Sequence, residues 1–397
     1  MGTSQLHALG RNRKFYINAE TTYGTFVKPE ADDAAKVLNA TFTPAIERRP
    51  REDSRATRSH VELITGKESV TFSVEAYLIP NAAGAEPDLG PLIEGAMGGS
   101  PAITGSDVTY SLSAGQDLGS FSLVQFFNDT FMEAVSGAYV NSMTISVAGG
   151  EEPKITFDGE ASTYIPTTTS PEDPTTNSTA TVAGTGTGDT FTVQTGEAAN
   201  FRPGSILKIG TDISNVDLEV QSVNTSTDTV TMTASVPAGF TSGDAVVPYV
   251  PAETVNGSPI AGILGFLKFG TAPNQTTIPI TTFEVTVANN NKPINDESFT
   301  QVLTDYVPGF RDVTGSLSVR CRRDLAIEIP KRLNHGNERI VVECGNVAGS
   351  TVEITIPKAE FDVAAVDTPQ SDEVVIPMTF RALASSSGED ELTVKFK

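Results

Sequence analysis

The side chains that could do chemistry are few and scattered. The three histidines, His7, His60 and His335, stand far apart in polar stretches, and none has a partner at metal-ligand spacing. No G-x-S-x-G turn and no H-E-x-x-H pair occurs. Gly184, Gly186 and Gly188 form a G-x-G-x-G run, but it joins two short strand-like pieces and lacks a following helix or lysine. It reads as a tight turn and not as a phosphate loop. Cys321 and Cys344, the only cysteines, each continue the apolar face of a strand (Leu317, Val319, Cys321; Ile340, Val342, Cys344). Two buried, reduced thiols are the expectation, with a disulfide as the alternative. Carboxylates are so numerous that any two of them are uninformative. No catalytic residue, metal ligand or cofactor site is expected.

Charge says more. The 397 residues carry 49 acidic and 27 basic side chains, a net charge of −22. So acidic a surface repels the nucleic-acid backbone, and it has the wrong sign for an anionic membrane. Solubility alone would also account for it. Against this background Arg48, Arg49, Arg51, Arg55 and Arg58 fall within residues 44–60, PAIERRPREDSRATRSH, the one basic concentration in the chain. Guanidinium forks pair carboxylates bidentately, so the run reads either as a solvated loop or as a surface that docks on another copy's acidic face.

The elements that must position these groups are strands. Apolar residues make up 38% of the chain, enough for a real core, while Gly, Thr, Ser and Val abound and Trp is absent. The length suggests two or three domains. In residues 66–80, GKESVTFSVEAYLIP, Val70, Phe72, Val74, Ala76 and Leu78 alternate with Thr71, Ser73, Glu75 and Tyr77, which predicts a strand with a dry and a wet face. A shorter copy begins at Gly309, GFRDVTGSLSVRC, where Gly66, Val70, Thr71 and Ser73 are matched by Gly309, Val313, Thr314 and Ser316. Each copy follows an alternating segment (37–42; 283–287) and a long polar loop (44–60; 289–305), and each precedes two more strand-like runs. Loops of about 15 residues without their own secondary structure are usually functional or disordered. Two of them at matching places suggest surfaces completed by neighbouring copies.

This pattern divides the chain into residues 1–166, a first β unit with an N-terminal arm; 167–257, a Thr/Pro-rich linker and an inserted module; and 258–397, a second β unit. Residues 1–35, with Arg11, Arg13 and Lys14, read as an extended arm ordered against a neighbour. Leu89, Leu92, Ile93 and Met97 recur at helical spacing before Gly98 and Gly99, which predicts a short helix with a glycine cap. Residues 326–333 are a second candidate helix. The insertion, 179–250, alternates short strands with Gly-rich turns, and from Glu172 to Asp244 its many carboxylates face only Arg202 and Lys208. Such an acidic module is most easily placed on an outer surface. The amino terminus has no apolar region of a secretory signal, and Leu6 excludes a myristoylation site. No run approaches the roughly twenty apolar residues of a membrane helix. The fold class is all-β with a few short helices.

Residues 13–27 (RKFYINAETTYGTFV), 66–98 (the strand, then AGAEPDLGPLIEGAMG), 137–157 (GAYVNSMTISVAGGEEPKITF) and the run PGFRDVTGSLSV…VVIPMTFRAL together resemble a tail tube (major tail) protein of a long-tailed, non-contractile bacteriophage. The order of the elements carries the resemblance. It implies β-sandwich-like units whose curved sheets join neighbours into a ring with an inner β-barrel. Rings stack into a hollow tube through loops and arms, and the tube conducts double-stranded DNA without binding it specifically. It further implies a virion tail location, assembly in the host cytoplasm, and tail terminator, tape measure and tail-tip proteins as partners, with no membrane. Most such proteins have one unit and form rings of six, so a chain with two predicts a ring of three with pseudo-sixfold symmetry, six chains being the alternative.

In that setting the wet-face residues Glu75, Asp158, Glu284 and Glu353 are candidates for the lumen, where carboxylates would repel passing phosphates; ordinary solvent-facing or intersubunit charge is the alternative. Arg48, Arg49, Arg51, Arg55 and Arg58 are assigned to intersubunit contacts on physical grounds. Two rival readings are a capsid decoration or tail-tip protein, and a receptor- or carbohydrate-binding module carried by 179–250. The second would need exposed aromatics, and the module offers Phe191, Phe201, Phe240 and Tyr249, each suited to a core.

Overall fold

Val70, Phe72, Val74 and Ala76 are buried on one side of the strand Leu63–Tyr77, and Thr71, Ser73, Glu75 and Tyr77 turn to the other, as the period of two requires. The computed structural model describes residues 10–52, 62–115, 118–127, 131–168, 180–201, 203–210, 214–215, 217–261, 265–270, 275–294, 302–320, 337–347, 349–363, 374–385 and 388–397. His7, His60, His335, Arg55, Arg58, Cys321 and the candidate helix at 326–333 lie outside these described residues.

The protein is all-β. One long antiparallel sheet runs through, in spatial order, Asn39–Pro50, Leu63–Tyr77, Lys154–Ala161, Phe131–Ala148, Thr276–Ala288, Asp312–Arg320, Val375–Ala382 and Ser350–Val363. Its dry face carries Phe157, Ile145, Val285, Leu317 and Met378 into a single core. A second layer covers that core in two places. Arg13–Ala19 pairs with Phe121–Phe127, which pairs with the first half of Phe131–Ala148; Thr163–Thr168 lines the other edge of that half. Phe266–Phe269 pairs with Glu338–Val347, which pairs with the first half of Ser350–Val363; Thr393–Phe396 lines the other edge there. The helix Gly90–Met97 buries Leu92, Ile93, Ala96 and Met97 against the core, and Gly98, at a φ of 79°, closes it in the left-handed region.

Residues 180–248 form a separate six-stranded sheet, in the order Ala180–Thr181, Ala245–Pro248, Ile206–Ile209, Leu218–Asn224, Thr229–Met232 and Thr190–Thr192. It has its own core, in which Phe191, Phe201 and Phe240 are buried. Gly186 exchanges backbone hydrogen bonds with Phe240 across an isolated antiparallel bridge, so the middle of the glycine run is paired backbone and not a tight turn.

Two further expectations are corrected. The polar stretch 44–60 is not a loop from its start: the strand Asn39–Pro50 continues through it, held by pairing with 63–70. Alternation vanishes there because both faces are exposed, and an edge strand tolerates Pro44 and Pro50. Nor do residues 13–19 form an arm awaiting a neighbour. Phe15, Tyr16 and Ile17 are buried in the chain's own second layer, where sheet above and insertion below cover both sides of the strand.

Candidate assembly site

The exposed face of the long sheet is built from hydroxyls and charges. Glu75 lies opposite Thr156, Asp158 opposite Ser73 and Ser142, and Glu284 opposite Ser146 and Ser316. These three lumen candidates therefore share one face. Lys154 pairs with Glu75 at 3.5 Å, and Arg381 with Asp312 at 2.6 Å, both in solvent. Glu353 is placed elsewhere. It sits in the second-layer half of Ser350–Val363, opposite Glu343 and Lys395, and accepts a hydrogen bond from Lys397 Nζ at 2.6 Å.

Midway across, Phe131–Ala148 and Thr276–Ala288 pair from Ala148 opposite Thr282 to Ser142 opposite Ala288. The hydroxyls of Thr144 and Thr286 meet across this seam at 2.9 Å. Beyond it, Asn289 and Asn291 reach the Val140 carbonyl through their side-chain amides, and the Asn291 backbone N–H donates to the Asn141 side chain.

Two hairpins stand at one end of the sheet. In the first, Asn39–Pro50 with Leu63–Tyr77, the distal residues have no core to cover them, and Ile46, Leu63 and Ile64 are open to solvent. A lone hairpin is marginal in water, so this one is suited to a contact. Arg49 bonds Glu47 at 2.6 Å and Arg51 bonds Glu62 at 2.8 Å, both exposed. The Arg49 hydrogen bond holds the Glu47 carboxyl below its usual range. Arg48 is exposed on the same strand.

The second hairpin, Lys292–Ile294 with Asp305–Val307, is folded back onto the chain. The Tyr306 ring stacks on Tyr139 at 4.3 Å; its hydroxyl donates to the Gly119 carbonyl at 3.0 Å and accepts from the Leu118 N–H at 3.2 Å. Ser162 Oγ donates to the Leu303 carbonyl at 2.6 Å. Burial, with Glu160 beside it, raises the Tyr139 phenol above its ordinary value, so it is a hydrogen-bond donor here, to Glu160. Reading the sequence missed this tyrosine cluster. A usable signal existed, since Tyr306 precedes Val313 by the same interval that separates Leu63 from Val70.

The insertion is anchored, not dangling. Ile206 enters an apolar cluster with Tyr16, Phe126 and Met132, and Tyr249 packs against it. Lys28 pairs with Asp217, and the Tyr16 hydroxyl donates to the Pro251 carbonyl at 2.7 Å. Burial pushes the Glu219 carboxyl up, while Lys28 opposes the shift.

Among the described residues no group of three or more His, Cys, Asp or Glu could hold a metal ion, and no helix is long and apolar enough to cross a membrane. What the geometry offers is surfaces: a polar sheet face, a bare hairpin and a sheet edge. No curated protein matches the chain. The family profile described as phage tail tube protein matches residues 10–219, from the first turn before Arg13–Ala19 into the inserted sheet. With more than half of its length so matched, the chain belongs to the phage tail tube protein family.

Proposed function

We propose that this protein self-assembles into rings of three chains, each contributing two β units, residues 1–166 and 258–397, and that the rings stack into the hollow tube through which phage DNA passes. The single observation that carries this reading is the order of the long sheet. Four strands (39–50, 63–77, 154–161, 131–148) are followed by four more (276–288, 312–320, 375–382, 350–363) that repeat their connectivity, joined side by side. A heterologous contact of this kind closes into a ring when its rotation divides a full turn. Closure would also remove the exposed edges.

The polar face supports a lumen that repels phosphate. Glu75, Asp158 and Glu284 stand on it among serine and threonine hydroxyls, where Lys154 pairs with Glu75 and Arg381 with Asp312. Residues 167–257 form the outer module in this arrangement. Assembly takes place in the host cytoplasm, with the tail terminator, tape measure and tail-tip proteins as partners of the finished tube.

Electron microscopy of the purified protein at high concentration tests the reading. Hollow tubes with three outer projections per ring support it. Six projections keep the tube but discard the two-unit ring, and dispersed particles alone favour a capsid decoration protein.

A further inference from the structure

The seam inside one chain has a counterpart at each free edge of the long sheet. In the first hairpin Thr43 opposes Thr71, Pro44 opposes Val70 and Arg49 opposes Ile64; in the second block Thr286 opposes Thr314, Val287 opposes Val313 and Lys292 opposes Val307. All of these pairs are related by one constant offset along the chain. The remaining strands correspond as well: Asp158 opposes Ser142 where Thr379 opposes Asp362, and Phe157 opposes Met143 where Met378 opposes Val363. Position by position, then, Asn39–Pro50 matches the strand that enters the internal seam, and the end of Ser350–Val363 matches the strand that receives it.

Among the described residues both matching edges lack a second strand partner. Asn39–Pro50 takes one strand partner among the described residues, Leu63–Tyr77, and residues 360–363 take one, Val375–Ala382. We infer that Asn39–Pro50 of one copy adds antiparallel to residues 360–363 of a second copy, with Ala45 opposite Asp362 and Pro44 opposite Val363. This rests on the ring reading above and supplies its register.

Three observations support that occupant. Arg48 stands where Asn291 reaches the Val140 carbonyl and Asn141; Val140 corresponds to Phe361 on the second copy, Asn141 is the extra residue of a register shift, and the next position, Ser142, corresponds to the exposed Asp362, so a guanidinium comes beside a carboxylate. Leu63, 55% exposed, stands where Tyr306 is 8% exposed. Within the internal seam the backbones of Asn289 and Thr281 bond the facing strand, and by alternation so does Val287. Pro44 occupies the Val287 place and has no N–H to give. The seam between chains therefore has one donor fewer than the seam within, and a slipped register gains nothing from that residue.

The test is the double variant Ala45→Cys/Asp362→Cys, assembled as the full chain and oxidised. Directly opposed residues that do not share backbone bonds sit about 4.5 Å apart at Cα, within disulfide range. The internal counterpart Ser142→Cys/Ala288→Cys calibrates the geometry. Covalent dimers and trimers, with no longer species, are expected from tubes. Tubes that yield no cross-link with this pair but do so with Thr43→Cys/Asp362→Cys would overturn the register while leaving the tube reading intact. Absence of tubes from the unaltered protein overturns both. If the variants fail to assemble, amide exchange on the unaltered protein decides: Ile46 and Val363 slow at least tenfold in tubes relative to dispersed chains, and unchanged rates at these two amides refute the pairing.

Discussion

Phe380 lies directly opposite Gly315, and its ring occupies the space that a Cβ on the glycine would need, 2.3 Å away. The other half of the sheet has the same arrangement with the residues exchanged, Phe72 opposite Gly159 at 2.7 Å. One ring per position fills the core layer, carried by a different strand each time. Gly315→Ala and Gly159→Ala are therefore expected to destabilise by about 1–3 kcal/mol or more through overpacking. The added carbon also meets a backbone carbonyl, Glu284 O at 2.3 Å or Tyr139 O at 2.0 Å, which cannot move aside cheaply. Urea titration measures this; a change below about 0.5 kcal/mol, the range of an exposed substitution, contradicts the packing account.

Tyr306→Phe should cost about 1–2 kcal/mol, because the Leu118 N–H and the Gly119 carbonyl both lose the hydroxyl they share in a buried setting. Tyr306→Ala removes the stacked ring as well and should cost about 3–5 kcal/mol. If the two variants melt at the same temperature, the stack on Tyr139 contributes nothing.

Ile206→Ala takes one side chain out of the cluster that joins the inserted sheet to Tyr16, Phe126 and Met132. The inserted sheet's own core does not include Ile206. A loss of about 2–4 kcal/mol at this contact should show as faster proteolysis in the segments flanking residues 180–248, with the inserted sheet itself surviving as a fragment. Uniform digestion of the whole chain would mean that the two cores are not separable.

How much of this was legible in the sequence depended on whether one face or both were dry. Leu63–Tyr77 alternates because core lies on one side and solvent on the other, so Val70, Phe72 and Val74 marked it plainly. Residues 45–50 have no dry side, and the same backbone geometry left no pattern; their strand is held by pairing with 63–69. At Phe15, Tyr16 and Ile17 both sides are covered, which again erased the alternation and suggested an arm. The lumen candidates divide by the same logic. Glu75, Asp158 and Glu284 alternate with core residues of the long sheet, whereas Glu353 alternates equally well but in a strand half that belongs to the second layer. Period two identifies a wet face without saying of which sheet. The Tyr139–Tyr306 stack was missed for another reason: the repeat interval that matches Tyr306 to Leu63 marks a place on the strand, but nothing local names a partner so far away in the chain.

Stability should fall in alkali. Burial, with Glu343 beside it, pushes the Cys344 thiol from 9.0 to about 12. The folded state then keeps a proton that the unfolded chain gives up, so this contribution is complete below pH 9.0 and is lost as the pH rises toward about 12. Burial raises the Tyr110 and Tyr139 phenols in the same direction and steepens the loss. Melting temperatures taken from pH 8 upward (roughly one unit below the thiol's ordinary value) should decline, and less so in Cys344→Ala. An equally steep decline in that variant would remove the thiol from the account. Native Cys344 should also resist thiol reagents, since the thiolate is the reactive form.

Reversing Arg48, Arg49 and Arg51 together to glutamate separates folding from assembly. The Arg49–Glu47 and Arg51–Glu62 pairs are exposed, and pairs of that kind contribute about 0–1 kcal/mol each, so the monomer should keep its melting temperature within a few degrees. Assembly should respond quite differently. The hairpin that carries these arginines is bare of core, and the facing edge proposed for a second copy presents Glu360 and Asp362. Reversal sets like charges against each other there, where juxtaposed charges cost several kcal/mol and the same loss recurs at every seam of a ring. Tubes should vanish at concentrations where the unaltered protein forms them, and a compensating Glu360→Arg/Asp362→Arg change should restore them in part. Sedimentation of the three proteins side by side reads the result. Tubes of the reversed variant forming at the unaltered protein's concentration would show that these arginines face solvent and that the seam is held by backbone pairing alone.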